Sequence, residues 1–187
     1  MILNDKSIRA SLVARLAASS KKSKAIIEEL RVHNGNAIAD VVTVGNFAHC
    51  YEIKGETDSI YRLAKQGHYY DLAFLKTTLV TTPNQLNKAM ELVPLHWGMM
   101  VSTISNDRMS FRYIRSAGKS PNYDAKSALM TLWRSELIDM ADSVLEVNVG
   151  KLNRDQLATL LIPMLGKAKI TQFISDSLAR RQRTPYV

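Results

Sequence analysis

Two short runs rich in β-branched residues, 38–44 (IADVVTV) and 47–54 (FAHCYEIK), meet at Gly45-Asn46. Nothing else in the chain restricts its fold as tightly. Val, Ile and aromatic side chains favour extended backbone, and Gly-Asn between two such runs is a two-residue hairpin signal. An antiparallel pair is therefore predicted. Gly55 ends the second run, and Thr57 or Asp58 can cap a helix reaching about Tyr70, with Ile60, Leu63 and Ala64 on one face. Side chains alternate across a strand, so Glu52 and Lys54 share one face and Ile53 takes the other. Folding about Gly45-Asn46 sets Asp40 roughly level with residues 50 to 52, within reach of Glu52.

The remaining elements are predicted around this pair. Residues 4–18 read as a helix capped by Asn4 or Asp5, with Ile8, Leu12, Val13 and Leu16 at helical spacing. Residues 25–32 (AIIEELRV) fit a helix or a strand; the turn cluster His33-Asn34-Gly35-Asn36 favours a strand. Strands are expected over 72–82, 97–104 and 109–114, the last two as an edge hairpin, with a short helix capped by Asn84 between Pro83 and Pro94. After residue 118 the pattern turns helical: 125–144, 154–165 capped by Asn153, and 170–181. The expected class is α/β, a mixed sheet flanked by helices with a helical C-terminal extension. The organisation expected is a core over 1–118 and a helical section over 119–187, with packing as one unit left open.

Charge and composition narrow the function. The 187 residues carry a net charge of +8, with 15 Lys/Arg against 10 Asp/Glu in 1–118 and 10 against 7 in 119–187. A basic body favours a polyanionic partner, nucleic acid above all. No stretch approaches the ~20 apolar residues of a membrane helix, and Asp5 and Arg9 interrupt any leader-like block at the start, so no membrane partner and a cytoplasmic setting are expected. One cysteine, Cys50, excludes an internal disulfide and a cysteine-rich zinc site, and the four histidines lack zinc spacing. A metal here would take oxygen ligands, as Mg²⁺, Mn²⁺ and Ca²⁺ do.

Asp40 and Glu52 held close are costly unless neutralised, and a divalent cation neutralises them. Lys54 adds a positive group able to orient a water or steady developing charge, which is the equipment phosphodiester hydrolysis needs. The carbonyl of Ile53 lies between the two site side chains as a further candidate ligand.

These residues, Asp40, Tyr51-Glu52-Ile53-Lys54, Asp58, Arg62-Leu63, Gln66 and Tyr70, with Glu29-Leu30 upstream, resemble the PD-(D/E)XK (restriction-endonuclease-like) nucleases. Within them the chain is similar to a family of small phage and bacterial proteins; Trp97-Gly98, 132–137 (LWRSEL) and Arg180-Arg181 also fit. The resemblance implies a restriction-endonuclease-like mixed sheet and a Mg²⁺- or Mn²⁺-dependent endo- or exonuclease acting on nucleic acid, most readily DNA. By position, Asp40 and Glu52 would ligate metal with Glu29 as the upstream acid and Ile53 contributing its carbonyl. Lys54 would serve the water and Gln66 would orient groups behind it. Ala39 stands where the superfamily often has Pro, and Glu28 is an alternative to Glu29. A catalytically inactive nuclease-fold protein binding DNA or a protein partner is the alternative, and a homodimer is left open.

Other residues have plainer readings beside functional ones. Lys21, Lys22 and Lys24 form a solvated loop or, in the sharper reading, contact phosphate. Arg62 is a nucleic-acid contact or the i,i+4 partner of Asp58. Trp133, spaced helically with Leu129 and Leu137, reads as core, and Arg180, Arg181 and Arg183 as a solvated end with DNA contact as the alternative.

Overall fold

The computed structural model describes residues 3–19 and 23–183. Within them, a six-stranded mixed sheet in the order β1 to β6 carries helices on both faces. The strands are β1 (Ala25–Val32), β2 (Ala37–Val44), β3 (Ala48–Ile53), β4 (Lys76–Thr81), β5 (Gly98–Ser105) and β6 (Arg108–Arg115). β1, β2 and β3 form an antiparallel meander; β3, β4 and β5 run parallel, and β6 returns antiparallel at the edge. The parallel steps need crossovers, supplied by α2 (Leu63–Ala73) and α3 (Leu86–Leu92). The mixed α/β class and the helical C-terminal section are as expected, and β1 is the strand favoured for 25–32.

Helix α1 (Asp5–Ala17) covers one face. The Asn4 side chain accepts from the Ser7 N–H at 2.9 Å, and Ile8 and Leu12 pack on Val41, Tyr51, Ile53, Val80 and Phe111. Its entry is pinned beside the end of β3, where the Glu56 N–H donates to the Leu3 carbonyl at 2.9 Å. Gly55 permits this approach, since a Cβ there would sit 2.6 Å from the Leu3 oxygen. The other face carries α2 and the C-terminal helices α4 (Ala125–Leu129), α5 (Arg134–Asp142), α6 (Arg154–Met164) and α7 (Lys167–Arg183). One continuous apolar cluster joins Val42, Cys50, Leu79 and Tyr70 to Leu129, Leu137, Leu161 and Leu178 across the boundary at residue 119.

Several expected boundaries move for local reasons. The hairpin loop has three residues, because Val44 pairs with Ala48 and the Gly45 N–H donates to the Phe47 carbonyl. Asp58 does not cap the helix after β3. Its carboxylate accepts the Gly55 N–H at 2.7 Å, closing a turn, and α2 follows a 3₁₀ turn at Ile60–Arg62. Helix α2 continues to Ala73, so the strand expected from 72 starts at Lys76. The helix expected over 125–144 breaks in two, because the Glu136 carboxylate accepts the Trp133 N–H at 2.7 Å and starts α5 afresh.

Candidate active site

Asp40 and Glu52 come together as the hairpin register requires. Val41 pairs with Tyr51, so one step further Asp40 stands opposite Glu52. Asp40 Oδ2 accepts the Ile53 N–H at 2.7 Å, fixing the carboxylate against β3. Glu52 is 1 % exposed. Its Oε1 lies 2.5 Å from Lys54 Nζ, and the same ammonium donates to Gln66 Oε1 at 3.3 Å. Asp40, Glu52, Lys54 and Gln66 thus form one constellation built from β2, β3 with the residue just past its end, and α2. Tyr70 lies one helical turn beyond Gln66, buried in the core, and donates to the Ile38 carbonyl at 2.7 Å.

The electrostatics of this site are those of two carboxylates short of positive charge. Burial and then the Glu52 charge raise the Asp40 pKa to about 8, against the opposing pull of the Ile53 N–H and Lys54. Burial also raises Glu52, opposed by Lys54 and then by the neighbouring Tyr70 hydroxyl and Asp40 carboxyl. Glu52 Oε2 is buried with no hydrogen-bond partner. An orphaned carboxylate oxygen beside a second buried carboxyl fits a divalent cation in donor chemistry, and Asp40 and Glu52 are the residues that would hold it.

The upstream acids stand apart. Glu29 has φ +54°, a left-handed conformation in the middle of a strand, and its side chain is two-thirds exposed. The ladder is paired at Glu28 with Val41 and at Leu30 with Ala39, on either side of this residue. Glu29 meets Arg9 of α1 at 2.6 Å; Arg9 also binds Asp5 at 2.6 Å and reaches Asp40 at 3.4 Å. Glu29 therefore communicates with Asp40 through a guanidinium, and Glu28 is exposed on β1. Ile53 enters the observed contacts through its N–H. Among the described residues no group of three or more His, Cys, Asp or Glu is gathered as a ready-made metal shell.

The residues assigned to nucleic acid are scattered. Lys21 and Lys22 lie outside the described residues. Lys24 pairs with Asp176 of α7 at 2.8 Å. Arg62 is exposed in the 3₁₀ turn and makes no ion pair among the described residues, so the partnership with Asp58 is absent there. Trp133, expected in the core, is 40 % exposed, because the break before α5 moves it off the apolar stripe; Arg181 stacks over its ring at 3.9 Å. Arg181 is no solvated end: it holds Glu136 through contacts of 2.5 and 2.8 Å. Sequence reasoning missed Arg9, for which the available signal was its i,i+4 spacing from Asp5.

The fold and site define a mixed α/β protein with a buried carboxylate–lysine centre at the end of a hairpin. The family described as bacteriophage P4 protein cII matches residues 2–185, and the chain belongs to it. It is 26 % identical over 181 residues to protein cII of Enterobacteria phage P4, covering 96 % of this chain and 68 % of that one. No solved structure matches significantly. Among the described residues no helix is long and apolar enough to cross a membrane.

Proposed function

We propose that this protein is a metal-dependent nuclease of the restriction-endonuclease-like kind, hydrolysing phosphodiester bonds of DNA at Asp40, Glu52 and Lys54. The observation that carries the reading is the buried pair of opposed carboxylates, one with an unpartnered oxygen, beside an ammonium held between Glu52 and Gln66. A pure binding module gains nothing from burying such a set, whose desolvation is expensive. The chemistry that Mg²⁺ or Mn²⁺ supplies when bound is activation of water and neutralisation of charge on the phosphate. The Ile53 N–H keeps Asp40 in one orientation. Lys54 donates to the attacking oxygen and steadies charge on the phosphoryl oxygens, while Gln66 keeps its ammonium from collapsing wholly onto Glu52. The three-stranded meander followed by a helix and a parallel strand supports the same fold assignment.

Purified protein incubated with plasmid DNA, linear DNA and RNA in Mg²⁺, Mn²⁺ or EDTA tests this. Cleavage is expected in either metal, none in EDTA, and at least a hundredfold less in Asp40→Ala, Glu52→Ala and Lys54→Ala. Cleavage that survives all three substitutions removes the site assignment. One observation favours a second reading, a nuclease-fold protein that binds without cutting: Arg9 already occupies Glu29 and leans on Asp40. Metal-independent DNA binding with no cleavage selects it.

A further inference from the structure

A cleft of about 540 Å³ opens between β1 and the C-terminal helices, its lining including Glu29, Arg31, Asn34, Trp133, Arg154 and Arg181. Three arginines line it, with the carboxylates of Glu28 and Glu29 on its β1 side. Arg181 is committed to Glu136 and stacked on Trp133. Arg154, at the start of α6, is held by neutral acceptors, the Asn34 side chain at 3.2 Å and the Met130 carbonyl. Its Nε is buried with no hydrogen-bond partner, and it makes no ion pair among the described residues. Burial and then the charge of Arg181 lower the Arg154 pKa, the sign of two guanidinium groups crowded in a partly desolvated space. Arg31 adds an exposed third guanidinium on β1. One carboxylate, Glu136, serves this crowded pair. Of the two β1 carboxylates, Glu29 is already answered by Arg9, and Glu28 lies exposed to solvent.

We propose that this cleft binds a backbone phosphate of the nucleic-acid substrate, outside the cleavage centre, through Arg31, Arg154 and Arg181. An anion there relieves the crowding of Arg154 and Arg181, and planar guanidinium groups match phosphate geometry. Arg181 is already held against Trp133 and Glu136, so little side-chain entropy is lost on binding. The cleft adjoins the groove beside the proposed active site: Glu28 and Glu29 line both it and that groove with Asp5, Lys6 and Arg9, and Arg9 touches Asp40. The assignment to nucleic acid, as opposed to a free anion, rests on the nuclease reading.

Fluorescence anisotropy of labelled single- and double-stranded DNA, in EDTA so that nothing is cut, tests the cleft apart from the chemistry. Arg154→Gln and Arg31→Gln are compared with wild type, each after thermal melting has established that it folds. Each is expected to weaken binding about 3- to 10-fold near 0.1 M salt and to lower the salt-dependence slope by about 1. Affinity and slope equal to wild type in variants that melt normally overturn the proposal; should Arg154→Gln fail to fold, the exposed Arg31→Gln decides by the same criterion. Inorganic phosphate at constant ionic strength is the competing probe. Full release of DNA by millimolar phosphate makes the cleft a free-phosphate site and overturns the nucleic-acid assignment, whereas retention supports it. If wild type never cleaves in Mg²⁺ yet binding still depends on the arginines, the nuclease reading fails and the cleft stands.

Discussion

Replacing Lys54 by Met isolates what the buried pair does for the fold. Lys54 Nζ lies 2.5 Å from Glu52 Oε1, with side-chain exposures of 10 % and 1 %. At that separation and an effective dielectric of about 20, the gross attraction is roughly 6 to 7 kcal/mol. Desolvating two ions takes back several kcal/mol, which leaves the intact pair near break-even. Removing only the lysine leaves Glu52 buried and uncompensated, at a cost of about 3–5 kcal/mol. The loss shrinks at acid pH. Burial already raises Glu52, and without Lys54 its folded pKa rises further, so the folded state holds the proton that the unfolded state gives up near pH 4 to 5. Stability of the variant is therefore retained below that range and falls as pH rises above it. The double variant Glu52→Leu with Lys54→Met should recover most of the loss. Urea unfolding in EDTA at pH 7 and pH 5 measures all three proteins. A Lys54→Met loss under about 1 kcal/mol at pH 7, or a double variant no more stable than the single, refutes the buried-pair reasoning.

Asp40, with its folded pKa near 8 against an ordinary value near 4, should make the metal-free protein lose stability as pH rises through that window, since the folded state binds the extra proton. Melting scans should show Asp40→Asn with a flatter profile than wild type, and Mg²⁺ should flatten the wild type alone. Gly55→Ala sets a Cβ against the Leu3 carbonyl and should cost about 1–3 kcal/mol in urea unfolding by displacing the entry to α1. Arg9→Ala removes a positive charge from beside Asp40 and frees Glu29, so Mn²⁺ affinity by calorimetry should rise several-fold; an unchanged affinity would separate Arg9 from the proposed metal site.

What the sequence disclosed follows the range of the forces involved. The β2–β3 pair was legible because β-branched runs and a Gly-Asn turn act over a few residues, and strand alternation then set Glu52 and Lys54 on one side. Gln66 was named through the family resemblance, and it stands 3.3 Å from Lys54 Nζ on a helix that returns over the hairpin. Glu29 was not legible: its spacing suited a strand, but a positive φ turns it out toward Arg9, and Arg9 is brought there by the packing of Ile8 and Leu12 on the sheet. The break at Trp133 was hidden for a similar reason. Leu129, Trp133 and Leu137 keep helical spacing, and the interruption arises from Glu136 taking the Trp133 N–H while Arg181, 45 residues away, holds that carboxylate. Family membership adds the phage setting without touching the chemistry.

The most direct test is single-turnover cleavage of end-labelled DNA in Mg²⁺ by wild type and Glu52→Gln, purified in parallel and confirmed as folded. Glu52→Gln preserves the shape of the buried side chain while removing its charge. Cleavage by wild type and none by the variant is expected. Equal cleavage by both, or none by wild type in Mg²⁺ or Mn²⁺, contradicts a hydrolytic centre at Asp40 and Glu52.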